Sequence, residues 1–144
     1  MEPKSFLSPE ECVALEACIS QAEKQTSGEI RVHIEGTCED PFERGKEVFA
    51  QLKMHETEEK NGVLVYLAVT SKKFAILGDE GINKKVPPDF WESVKNEMKS
   101  DFGGGKFLEG LKKGVLASGE KLASYFPHRP DDKDELPNTI SFGE

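Results

Sequence analysis

The chain has 144 residues, 36% of them apolar and 32% charged, with a formal net charge of −8. That length fits one domain, and a domain near this size hides about 70% of the surface its unfolded chain exposes. An acidic chain repels phosphate backbones and anionic lipid, which argues against nucleic acid as a partner and makes cations the natural ligands of its carboxylates.

Ser8-Pro9-Glu10-Glu11 predicts a helix start, with Ser8 as cap, Pro9 at the first helical position and Glu11 closing a capping box. Cys12, Leu15, Ile19 and Ala22 follow at the spacing of one helix face, and Thr26-Ser27-Gly28 stops it. The period then changes. Ile30, Val32 and Ile34 alternate with Arg31, His33 and Glu35, which predicts a half-buried strand with Glu29 at its beginning. Asp40-Pro41-Phe42-Glu43 repeats the helix-start chemistry, with Phe42, Gly45, Val48, Phe49 and Leu52 as the inward stripe.

Val63 to Val69 is a continuous apolar run of strand length, rich in β-branched residues, as expected for a strand covered on both faces. Thr70-Ser71-Lys72-Lys73 reads as a turn into a second strand over Phe74-Ala75-Ile76-Leu77, so the two pair as a hairpin. Pro87-Pro88-Asp89 introduces a third long helix carrying Phe90, Trp91, Val94 and Met98, and Gly103-Gly104-Gly105 breaks it. A fourth helix carries Phe107, Leu108, Leu111, Val115, Leu122, Tyr125 and Phe126. Pro127 closes a packed domain over residues 1–127, and residues 128–144 are expected as an acidic, flexible tail whose Asp131, Asp132, Asp134 and Glu135 serve solubility, with weak cation binding as the alternative.

Met1 to Leu7 lack the basic patch and apolar run of a signal peptide, and Val63 to Val69 falls far short of the roughly 20 residues that span a membrane. Cys12, Cys18 and Cys38 are odd in number and form no CxxC pair, so free thiols in a reducing compartment are expected. His33, His55 and His128 are scattered and offer no zinc cluster. Gly104-Gly105-Lys106-Phe107 is no phosphate-binding loop, because Phe107 stands where Ser or Thr is needed.

The order α-β-α-β-β-α-α implies a right-handed crossover between two parallel strands, then an antiparallel third. The fold class expected is α/β, a three-layer α/β/α sandwich around a small mixed sheet. Parallel strands start at one end of a sheet, and the antiparallel strand finishes there. Glu29, Asp79, Glu80 and Asn61 therefore meet at one end, where the acids repel unless a cation separates them. Calcium suits such a site, since it takes six to eight oxygen ligands. Asp101, beside the triple glycine, is a fourth candidate ligand. Each has a plainer alternative: a strand-edge ion pair for Glu29, an ordinary turn for Asp79 and Glu80, a solvated helix end for Asp101.

Thr26-Ser27-Gly28-Glu29-Ile30, then Asn61 to Leu67, then Lys73 to Asn83 resemble, in order and spacing, the signature of the TPM-domain family. Met98, Phe102, Gly105, Phe107, Gly110 and Leu111 fit its later pattern, and the likeness runs from about Ser8 to Phe126. The resemblance implies a Rossmann-like sheet between helices and a divalent-cation site at one sheet edge, commonly calcium with magnesium as the alternative. Glu29, Asp79, Glu80 and Asp101 match the family's acidic signature. A plant chloroplast branch is linked to acid phosphatase activity and photosystem II repair, and many bacterial relatives carry a signal peptide and a membrane anchor. This sequence shows neither, so a soluble, cytoplasmic, monomeric bacterial member is expected. Three functions follow. One is a cation-binding interaction module with an unidentified protein partner. Another is a metal-dependent phosphatase with one carboxylate as general base, although Lys84, Lys85 and Lys106 are the only nearby cations for a phosphate. The last is a structural adaptor without metal.

Overall fold

The computed structural model describes residues 3–129 and 138–143. The first helix, α1, spans Pro9–Glu23 and starts as its sequence dictates. Ser8 Oγ accepts the Glu11 N–H at 3.1 Å while Glu11 Oε1 accepts the Ser8 N–H at 2.9 Å. The strand β1 is Glu29–Glu35. Helix α2 is Pro41–Gln51, where Asp40 Oδ1 accepts the N–H groups of Phe42 and Glu43. Such caps contribute about 1 kcal/mol each, because they satisfy donors that the first turn leaves orphaned.

Strand β2 is Gly62–Ala68 and β3 is Lys73–Gly78, joined by the expected turn. A short α3 over Glu80–Asn83 follows, then α4 over Glu92–Gly103 and α5 over Phe107–Leu122. Phe90 and Trp91 precede α4 rather than lying in it. Phe90 still packs edge-on against both Trp91 and Tyr125.

The sheet has the order β3-β2-β1-β4, where β4 is Ser141–Phe142. Strands β1 and β2 are parallel, with Glu29 opposite Gly62 and Glu35 opposite Ala68. Strands β2 and β3 are antiparallel, with Val63 opposite Gly78 and Ala68 opposite Lys73. Side chains alternate across the sheet. Ile30, Val32, Ile34, Val63, Val65, Leu67 and Ile76 face one core, shared with Leu15 and Ile19 of α1, Val94 and Met98 of α4, and Leu111 and Val115 of α5. Leu64, Tyr66, Ala68, Ala75 and Leu77 face a second core, with Val48 of α2 and Met54. The expected three layers are therefore present. Each fully buried Leu or Ile contributes about 1.5–3 kcal/mol.

Three local expectations are corrected. All of β1 is buried, including Arg31, His33 and Glu35, where alternation predicted a solvated face. Phe42, placed in the inward stripe of α2, is 50% exposed beneath the Lys46 ammonium, because Gly45 and Val48 fill that contact instead. Residues 138–143, expected within a flexible tail, return to the sheet: Ser141 and Phe142 pair in parallel with His33 and Ile34, and Ile140 is buried. The polar groups on β1 are what draw that segment in. Arg31 Nη2 donates to Thr139 O at 3.1 Å, and the Gly143 N–H donates to Ile34 O at 2.9 Å. Asp131, Asp132, Asp134 and Glu135 lie outside the described residues. Among the described residues no helix is long and apolar enough to cross a membrane.

Candidate functional site

The acidic edge forms where topology predicted. Glu29 pairs with Gly62, and the Asp79 N–H donates to Gly62 O at 2.9 Å. One row across the sheet therefore reads Glu29, Gly62, Asp79, with the two acids about 9–10 Å apart in backbone, two strand spacings. The residue between them has no side chain. Glu29 is buried, Asp79 half-buried and Glu80 exposed. Asp79 Oδ1 caps α3 by accepting the Glu80 N–H at 2.8 Å. Its Oδ2 is buried yet accepts no hydrogen bond.

The loop over residues 59–61 walls this edge. A Cβ on Gly81 would lie 2.2 Å from Glu59 O and 2.5 Å from Lys60 O, so only glycine allows these carbonyls so close to α3. Asn61, expected beside the carboxylates, turns elsewhere. Its Nδ2 donates to Glu59 Oε2 at 3.0 Å, and Glu59 also takes the Ser27 hydroxyl at 2.7 Å and faces Arg129 at 3.3 Å.

Asp101 does not join Glu29, Asp79 and Glu80. It sits in the last turn of α4, next to Phe102, which packs on Phe74 with ring centroids 5.0 Å apart. Phe74 pairs with Leu67, at the other end of the sheet. Helix α5 then runs its 16 residues back to Leu122, whose Cδ1 lies 3.0 Å from a Cβ built on Gly28. That is about 24 Å of helix between the two ends. Asp101 is ion-paired through Oδ2 to Lys113 Nζ at 3.1 Å. It entered the candidate set because it neighbours three glycines, and that spacing carries no information about which sheet end it reaches. Among the described residues, no group of three or more His, Cys, Asp or Glu side chains is placed to hold a metal ion. The four acids as a set do not fit one cation. The atom that does fit a cation is Asp79 Oδ2, an orphaned oxygen at an edge rich in carboxylates and carbonyls.

A second cluster escaped sequence reasoning. Glu35, buried on the α2 face of β1, accepts four hydrogen bonds: Arg44 Nε to Oε2 at 2.8 Å, Arg44 Nη2 to Oε1 at 3.1 Å, His33 Nε2 to Oε1 at 3.0 Å, and the Tyr66 hydroxyl to Oε2. Four donors fill the acceptor capacity of an ionised carboxylate. Burial alone would push the Glu35 carboxyl up, but the bonds from Arg44, Tyr66 and His33 outweigh it and hold the carboxyl below the usual range. Burial lowers the His33 imidazole, partly offset by Glu35, so the ring is neutral. Its Nε2–H donates to Glu35, which leaves Nδ1 to accept the Ser141 hydroxyl at 2.9 Å. The order Ser141, His33, Glu35 is that of nucleophile, base and acid. His33 is nonetheless only 5% exposed and stacked on Tyr66, and Glu35 has no spare acceptor, so the cluster works as a lock between β1, α2 and β4. The available signal was Glu35 followed nine residues later by Arg44 on the next helix.

A family model described as the TPM domain matches residues 1–121. Among solved structures, the BA42 protein from the psychrophilic bacterium Bizionia argentinensis is 52% identical, with 96% of each chain covered and a TM-score of 0.91. The N-terminal domain of a protein from P. gingivalis is 20% identical, covers 86% of this chain and 82% of its own, and superposes with a TM-score of 0.66, which shows a shared fold alone. No curated protein matches the chain.

Proposed function

The chain belongs to the TPM domain family, and from that premise we propose that it is a binding module whose acidic sheet edge takes a divalent cation, calcium in preference to magnesium. The observation that carries this reading is Asp79 Oδ2, buried without a hydrogen-bond partner beside Glu80 and one glycine away from Glu29. An unsatisfied buried carboxylate oxygen costs a few kcal/mol, and a cation is the partner that removes the cost and the mutual repulsion together. Asp79 and Glu80 would hold the ion, with Glu29 behind them. The ion would supply charge neutralisation and would tie α3 to the sheet end. Calcium suits an edge of mixed carboxylates and carbonyls because it accepts irregular oxygen shells, whereas magnesium demands near-octahedral geometry. Asp101 has no part in this site.

Backbone NMR of the full chain, titrated with Ca²⁺ and separately with Mg²⁺, tests it. Shifts should centre on residues 28–30 and 78–82, and Asp79→Asn should abolish them. No shift at millimolar calcium, or the same shifts in Asp79→Asn, would remove the reading.

A further inference from the structure

We propose that the cleft at the opposite end of the sheet, where β2, the β2–β3 turn and the α4–α5 turn converge, binds a small planar aromatic anion. This proposal is independent of the cation edge.

The cleft has a volume of about 660 Å³, within the range of small-molecule sites. It opens outside the carboxyl ends of the parallel strands β1 and β2, the position where loops of α/β sheets are free to shape a ligand site. Its walls are apolar. Leu67 contributes, and Phe74, Phe102 and Phe107 are half-buried there. Phe102 meets Phe74 edge-on at 5.0 Å and lies nearly parallel to Phe107 at 5.7 Å. Phe6 backs Phe107 edge-on at 5.1 Å, and the three adjoining half-buried rings form an apolar surface for another ring, offset-stacked or edge-on.

The rim has the opposite sign to the rest of the chain. Lys72, Lys73 and Lys99 line the cleft and are exposed, although the whole protein carries a net charge of −8. Lys73 Nζ donates to Glu39 O at 2.6 Å, which ties the loop after β1 to the β2–β3 turn as a further wall. Among the described residues neither Lys72 nor Lys99 has a carboxylate partner, so two ammonium groups stand ready for an anion. The glycine turn keeps the rim low. A Cβ on Gly103 would meet nothing within 4 Å, so packing does not require glycine there, and a side chain would only narrow the opening. Rings below and ammonium groups above select an aromatic body bearing one carboxylate, sulfonate or phosphate.

Naphthalene-2-sulfonate, titrated into the isotope-labelled full chain, is a direct probe. Backbone shifts are expected at Leu67, at residues 72–74 and across residues 99–107, with none at residues 28–30. The double variant Lys72→Glu/Lys99→Glu changes only exposed side chains, so it keeps the fold, and it should weaken the probe by about tenfold, the size of one charge-assisted contact. Neutral naphthalene-2-sulfonamide should bind comparably weakly to the unaltered protein. Absence of binding at millimolar probe, shifts centred outside the cleft, or equal affinity for the anion and its neutral counterpart would each overturn the proposal.

Discussion

Arg44 grips Glu35 through two nitrogens, Nε at 2.8 Å and Nη2 at 3.1 Å, and so fastens α2 to the carboxyl end of β1. The carboxylate is buried, so it depends on that guanidinium far more than a surface acid would. Arg44→Ala is expected to cost about 3 kcal/mol of folding stability, measured by urea unfolding. Arg44→Lys should recover less than half of the loss, because an ammonium cannot reproduce the paired contact. A loss below about 0.5 kcal/mol, the scale of an exposed pair, would show that the pair is merely superficial.

The same cluster sets the response to acid. His33 and Glu35 both have folded-state values below their ordinary ones of 6.5 and 4.5. A depressed value means that the unfolded chain binds the proton more readily. Their stabilisation is therefore full above pH 6.5, begins to fall as pH drops below that for His33, and falls further below 4.5 for Glu35. Melting temperatures recorded from pH 8 to pH 3 should decline over both windows, and His33→Gln should erase the upper decline alone.

Ile140 anchors the returning segment over β1. Ile140→Ala is expected to destabilise the domain by about 2 kcal/mol. It should also loosen β4 enough that His33 regains water and its titration midpoint, followed by NMR, moves upward toward 6.5. An unchanged midpoint would mean that α2 and Tyr66, not β4, keep the imidazole dry.

Two glycines should behave oppositely. At Gly81 a methyl group collides with the carbonyls of Glu59 and Lys60, whereas at Gly103 it meets open space. Gly81→Ala should cost about 1–3 kcal/mol, and Gly103→Ala, near the end of α4, should be neutral or slightly stabilising. Equal effects in thermal unfolding would contradict the placement of the 59–61 loop.

Much of the fold is legible in the sequence because its signals are local. The Ser8 and Asp40 caps, the apolar run from Val63 and the change from helical to alternating period at Ile30 each report on a few neighbouring residues, and the crossover rule converts their order into a sheet. That Glu29 and Asp79 lie in one row at the same end of the sheet, with Gly62 between them, followed from that topology. What stayed hidden depends on distant partners. Alternation on β1 cannot distinguish a solvated polar face from one sealed by Arg44, Tyr66 and a strand arriving from residue 141. Asp101 misled for the same reason: three glycines announce a turn without saying at which end of the sheet the turn lies.

The short strand β4 also bears on how copies of this chain meet. Without it, β1 would be an open margin of the sheet, and open margins template unwanted pairing between molecules. Here the Ile30 N–H is taken by Glu23 Oε2 at 2.9 Å, and further along Ile34 O is taken by Gly143. Two side-by-side blocks, one a carboxylate and one a strand of two residues, leave little of β1 for a neighbour to extend. A cut before residue 138 would therefore leave that margin of β1 open to a neighbouring molecule as well as removing the Ile140 anchor.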